Sequence, residues 1–254
     1  MDQHHLTADR FGSMAERYLT SSVHASGADL KRLTALAHAS RAASALDMGC
    51  GAGHASFALA RAGTERIVAY DLSPRMLDVV TQEATVRGHA AHLTTRAGPA
   101  EQLPFADASF DLVVTRYSAH HWLDVRRALS EAARVLKPGG MVVVIDVVAP
   151  ESPLLDTVLQ TVEILRDASH VRDYRESEWR AMLIAADFSP PAADHWKLPM
   201  EFRSWIARIG TPARRVAALE AVFAELAQEA RDYFKVAADC SFVIDAAWFE
   251  ATKR

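Results

Sequence analysis

Between residues 28 and 150 two hydrophobic rhythms alternate along the chain. Segments 28–39, 53–63, 73–88 and 125–136 carry apolar residues every three or four positions, the spacing of amphipathic helices. Short apolar runs at 44–49, 66–71, 92–98, 109–117 and 139–148 fall between them and read as strands. The punctuation agrees: Gly63 closes one helix, and Ser73 with Pro74 opens the next as N-cap and first helical residue. Such alternation builds βα units around a parallel sheet. Beyond Pro150 it breaks. Residues 152–170, 175–187 and 211–234 read as helices, 194–202 as a sixth strand, and 240–253 as an antiparallel strand at the sheet edge.

Composition narrows the picture. The chain has 254 residues, half of them hydrophobic and 24% charged, which suits one large α/β domain. A formal charge of −4 excludes the overall basic footprint of duplex-binding proteins, so no nucleic-acid partner is expected. The first ten residues, MDQHHLTADR, lack an apolar leader. The longest apolar stretch, MVVVIDVVA, is broken by Asp146 and is far shorter than the ~18 residues of a membrane span. A cytoplasmic location without a membrane span is the expectation. Cys50 and Cys240 form no disulfide framework, and neither they nor the histidines at 4, 5, 89 and 92 have ligand-like spacing, so no metal is expected.

The strongest motif is Asp47-Met48-Gly49-Cys50-Gly51-Ala52-Gly53-His54, set between a strand and a helix. Its glycines permit a tight turn and a close approach of backbone to ligand. Asp71 ends the next strand, 20 residues after Gly51, where a carboxylate can accept hydrogen bonds from ribose hydroxyls. A dinucleotide fingerprint starting at Gly49 requires glycine at 54, where this chain has histidine. Asp47 also repels a pyrophosphate, whose favoured environment is positive, and suits a ligand with an ammonium group. S-adenosylmethionine has an ammonium and a sulfonium and no phosphate.

These residues carry a family resemblance. D-M-G-C-G-A-G followed by Y-D-L-S-P-R-M-L resembles the class I S-adenosylmethionine-dependent methyltransferases. A-E-Q-L-P-F-A-D-A-S-F-D and L-K-P-G-G resemble the small-molecule group related to ubiquinone and menaquinone biosynthesis methyltransferases, and the likeness spans residues 45–145. The resemblance implies that Gly49, Gly51 and Gly53 form the loop beneath the methionine moiety and that Asp47 orients its amino group. It further implies that Asp71 binds the ribose, that Leu72 and Met76 pack on adenine, and that Ala100 offers its N–H to an adenine nitrogen. Arg116 would meet the methionine amino group through its carbonyl oxygen, and Tyr18 would touch the cofactor carboxylate or simply pack. The family often has aspartate two residues before the E-x-L-P-F glutamate. Pro99 stands there, so the adenine amino contact is missing or falls to Glu101.

His120 and His121 follow the fourth strand, where the acceptor must meet the methyl group, and are candidate general bases or plain loop structure. Arg166 and His170, with Asp167 and Arg172, cluster after the long post-core helix, either as an anion-binding lid or as a solvated helix end. Ser21 and His24 are weaker companions of Tyr18, and Trp179, Trp196, Trp205 and Trp248 read as packing residues.

The expected fold is an α/β, Rossmann-like, doubly wound sheet of seven strands, mostly parallel with the last antiparallel, in one domain over 1–254. Its core takes about 28–150, 176–202 and 237–254, with lid or substrate segments at 1–27, 151–175 and 203–236. The expected function is methyl transfer from S-adenosylmethionine to a small molecule, probably acidic or phenolic in chemistry by the Arg166 and His170 reading. A cofactor-binding regulator without turnover and a nicotinamide oxidoreductase are the alternatives.

Overall fold

All five residues of strand β1 (Ser44–Met48) are buried, as a strand covered on both faces must be. In the computed structural model, which describes residues 2–15, 19 and 27–254, β1 pairs in parallel with β2 (Arg66–Asp71) and β4 (Phe110–Arg116). β3 (Leu93–Ala97) extends the sheet beyond β2, and β5 (Leu136–Ala149) continues it beyond β4. The C-terminal strand β8 (Phe242–Thr252) runs antiparallel between β5 and β7 (Ala192–Met200), giving the order β3-β2-β1-β4-β5-β8-β7. The last strand is therefore antiparallel as expected, but β7 rather than β8 forms the edge. The sheet has eight strands, not seven: the two-residue β6 (Tyr174–Arg175) pairs with the end of β5, a pairing too short to leave a sequence pattern.

Helices α1 (Gln3–Gly12), α2 (Ala28–Ala39), α3 (His54–Arg61) and α4 (Pro74–Val86) precede β3. α5 (Val125–Val135) and α7 (Glu176–Ala185) pack on the opposite face from α2 and α3, giving two apolar cores, one on each side of the sheet. Strand order reverses between β1 and β4, so a crevice opens at their carboxyl ends, where open α/β sheets bind ligands.

A third core lies over the carboxyl ends of β5 and β7 and the start of β8. It is built by α6 (Pro153–Arg166), α8 (Phe202–Ile209), α9 (Ala213–Glu225) and α10 (Gln228–Phe234). Trp205 meets Phe242 edge to face at 4.9 Å, and Phe223 closes the cluster. The helix expected over 152–170 ends at Arg166, and that expected over 211–234 breaks at Leu226 and Ala227. Trp179, Trp205 and Trp248 are fully buried. No helix among the described residues is long and apolar enough to cross a membrane.

Candidate active site

The glycine turn forms the floor of a cleft of about 970 Å³, its open mouth included. Gly49 and Cys50 both donate to the Tyr70 carbonyl, at 2.8 and 3.0 Å, which pins the turn to β2. Gly49 has φ +74°, and a Cβ there would collide with Ser118 Oγ, so glycine is required twice over. Gly51, at φ +50°, donates its N–H to Asp71 Oδ2 at 2.8 Å, while Ser73 N–H donates to Oδ1 at 2.8 Å. The Asp71 carboxylate is thus held rigid with further lone pairs facing the cleft it lines. Gly53, at φ +83°, starts α3.

Asp47 is fully buried beneath this turn. Its Oδ2 accepts from Ser56 N–H at 2.8 Å and Ser56 Oγ at 2.6 Å, whereas Oδ1 has no partner among the described residues. Burial pushes the carboxyl up to about 6 against the pull of Ser56. A buried carboxylate oxygen left open beside a cleft fits an incoming ammonium group. Leu72, Met76 and Ala100 line the same cleft, next to Gly98 and Pro99. Glu101 reaches it too, but its Oε1 accepts from Leu123 and Asp124 N–H at 2.8 and 3.2 Å; Oε2 lies 3.6 Å from His4 Nε2. Arg116 contributes to the lining while its Nε donates to Asp29 Oδ2 at 2.5 Å. Tyr18, Ser21 and His24 lie outside the described residues.

Helix α1 supplies one wall that the motifs did not indicate. His4, Thr7, Ala8 and Phe11 line the cleft, and both His4 Nε2 and Thr7 Oγ1 are buried without partners among the described residues. Their i, i+3, i+4, i+7 spacing was the available signal.

A second, inner chamber of about 540 Å³ adjoins the cleft, sharing Phe11, Tyr117 and His121 as walls. Tyr117 sits there at φ +50°, an unfavourable conformation for an aromatic residue. His120 lines only the inner chamber. Its Nδ1 lies 2.6 Å from Asp146 Oδ1, an oxygen that also accepts from Val147 N–H at 2.8 Å, while Asp146 Oδ2 accepts from Ala119 N–H at 3.0 Å. With the carboxylate fixed this way, Nδ1 is the donor and Nε2 remains for the chamber. Burial disfavours the His120 imidazolium, but Asp146, with Asp173 and Glu163 behind it, outweighs burial and pushes the group up to about 9. His121 behaves oppositely. Burial and the charge of His120 push it down to about 4, and its Nδ1 faces the Ser169 carbonyl at 3.1 Å.

Arg166 lines the inner chamber and is not a solvated helix end: it is buried, donates from Nε to the Trp205 carbonyl at 3.1 Å, and faces Glu163 at 3.7 Å. His170 reaches neither cavity. It stands behind the chamber wall with Nε2 donating to Gln160 Oε1 at 3.1 Å, and burial with the neighbouring His120 and His121 pushes it down to about 2. Asp146, Glu163 and Asp173 are the chamber's unforeseen acids. Among the described residues, no group of three or more His, Cys, Asp or Glu side chains is placed to hold a metal ion.

Comparison with known proteins agrees with this geometry. Residues 46–144 match the methyltransferase domain family. The chain is 36% identical over 249 residues to Bacillus subtilis YcgJ, an uncharacterized methyltransferase, covering 96% of this chain and 98% of that one. The solved YcgJ structure superposes with a TM-score of 0.82 at 35% identity, over 88% of this chain and 99% of that one. YafE of Escherichia coli K12 is 48% identical over 187 residues, 74% of this chain and 90% of YafE. A demethylmenaquinone methyltransferase of Lactiplantibacillus plantarum is 35% identical over 132 residues, covering 51% of this chain and 56% of that protein. The chain belongs to the class I S-adenosylmethionine-dependent methyltransferases. Its cofactor is S-adenosylmethionine, and the open Asp47 oxygen and the rigid Asp71 carboxylate fit that molecule's ammonium and ribose.

Proposed function

We propose that the protein methylates a small molecule seated in the inner chamber. The observation that carries this reading is the common wall of Phe11, Tyr117 and His121, which sets the chamber directly against the cofactor cleft. Gly49, Gly51 and Gly53 cradle the methionine moiety, with Asp47 and the Arg116 carbonyl toward its amino group. Asp71 holds the ribose, and Leu72, Met76, the Ala100 N–H and Glu101 surround the adenine. S-adenosylmethionine supplies a methyl group already activated by its sulfonium. The protein therefore has to align the acceptor, exclude water and remove a proton. His120 takes that proton at Nε2 and Asp146 stabilises the resulting imidazolium; neutral His121 walls the junction. Arg166 shapes the acceptor's seat, and His170 supports it through Gln160, which also accepts from Asp173 N–H at 3.1 Å. The demethylmenaquinone methyltransferase relative is consistent with a phenolic acceptor.

The test is incubation with trideuteromethyl-labelled S-adenosylmethionine and a metabolite extract of the source cells. The reading expects a labelled small molecule to form in step with S-adenosylhomocysteine. Label confined to protein or nucleic acid would contradict it.

The cofactor site makes a separate prediction about pH. Free Asp47 titrates near 6, and binding an ammonium favours its ionised form, so protonation competes with the ligand. Calorimetry should show affinity for S-adenosylhomocysteine roughly constant above pH 7 and falling as pH drops through 6. In Asp47→Asn that fall should disappear, from a weaker starting affinity.

A further inference from the structure

Asp173 lies in the loop between α6 and β6, and the fold anchors its backbone while leaving its carboxyl unbonded. Its N–H donates to Gln160 Oε1 at 3.1 Å and its carbonyl accepts from Gln160 Nε2 at 2.8 Å. The side chain is buried, lines the inner chamber, and has an Oδ2 with no hydrogen-bond partner among the described residues. His170 Nε2 is 3.8 Å away but is already spent on Gln160. Neighbouring acids are engaged: Asp156 with Arg172 at 3.0 Å, Glu163 with Arg166 at 3.7 Å, and Asp146 with His120 at 2.6 Å. A buried carboxyl without a partner is costly to keep, and a ligand that completes it removes the cost.

The chamber's chemistry states which ligand. Burial holds the Asp173 carboxyl well above the usual carboxylate range, while Asp146 and Asp173 hold the His120 imidazole up. The two side chains thus share a proton, one acting as donor while the other accepts. A hydroxyl group both donates and accepts; an ammonium only donates, and a carboxylate only accepts. Val147, Leu198, Met200, Trp205 and Ile244 supply apolar walls around this polar end.

Resting on the methyl-transfer reading above, we propose that Asp173 and His120 bind the acceptor's reacting hydroxyl, so that the acceptor is a hydroxyl-bearing molecule with an apolar body, methylated on oxygen. The O–H proton passes to His120 Nε2. The new O–C bond forms as the donor's S–C bond breaks, its electron pair staying on sulfur, which yields a methyl ether and S-adenosylhomocysteine.

Asp173→Asn tests the assignment in two ways. Because the substitution removes a costly buried acid, the ligand-free variant should melt at least ~3 °C higher than wild type at pH 8. The yield of labelled product from the metabolite extract should fall at least ~30-fold, with affinity for S-adenosylhomocysteine unchanged. The wild-type product should release its label as trideuteromethyl iodide in hot hydriodic acid and keep it in mild alkali, as an ether does. A lower melting temperature would make Asp173 a structural residue and overturn the proposal, as would an unchanged yield. Label retained in hydriodic acid, marking a nitrogen or carbon acceptor, or lost in alkali, marking an ester, would overturn the hydroxyl assignment. A wild-type protein that labels no small molecule would instead remove the reading on which the assignment rests.

Discussion

Asp71→Ala is expected to weaken binding of S-adenosylhomocysteine by ~10²–10⁴-fold. Two charge-assisted hydrogen bonds to the ribose are lost, worth ~1.5–3 kcal/mol each in a shielded cleft. The same substitution frees the Gly51 and Ser73 N–H groups, which Asp71 holds at 2.8 Å, so the glycine turn also loses its tether to β2. Asp71→Asn separates these contributions, since its amide oxygen still accepts hydrogen bonds while the charge is gone. Calorimetry alongside circular dichroism is the check. A folded Asp71→Ala protein with wild-type affinity would place the nucleoside elsewhere.

His120→Ala is expected to lower acceptor turnover by ~10²–10⁴-fold, the usual worth of a positioned general base. Cofactor affinity should stay unchanged, because His120 lines the inner chamber and not the cleft. The pH profile carries the sharper signature. With the group raised to about 9, the free enzyme holds His120 protonated near neutrality, so kcat/KM should rise about tenfold per pH unit and level off near 9. Stability runs the other way. A histidine raised above its unfolded value stabilises the fold fully below about 6.5, and that contribution fades as pH climbs through 9. Asp146→Asn should lower the inflection in the profile as well as the rate. A profile unmoved by either substitution would assign the base elsewhere.

Legibility of the site followed distance along the chain. Asp47, the three glycines and Asp71 occupy one strand–turn–helix–strand unit, where spacing alone fixes what faces the ligand. The chamber is different. It gathers His120, Asp146, Glu163 and Asp173 from four separate elements, and no local pattern encodes their meeting. Asp146 did leave a trace, as an acid inside the apolar run MVVVIDVVA, where a buried carboxylate demands a partner. That trace bears on membrane insertion and on catalysis alike, and only the pairing with His120 distinguishes them. Arg166 and His170 show the limit of linear proximity. They are neighbours in sequence, yet the helix ends at Arg166, so one side chain enters the chamber and the other packs behind it. The sheet was legible through its buried strands. The inner position of β8 was not, because antiparallel insertion between β5 and β7 depends on pairing over 11 residues rather than on composition.

The joining of the two cavities is the centre of the account, and a crystal structure with S-adenosylhomocysteine tests it most directly. The ribose should sit on Asp71, the amino group should face Asp47, and the sulfur should lie at the Phe11–Tyr117–His121 wall, pointing into the inner chamber beside His120. A sulfur directed away from that wall into open solvent, with the chamber closed off behind it, would contradict the account.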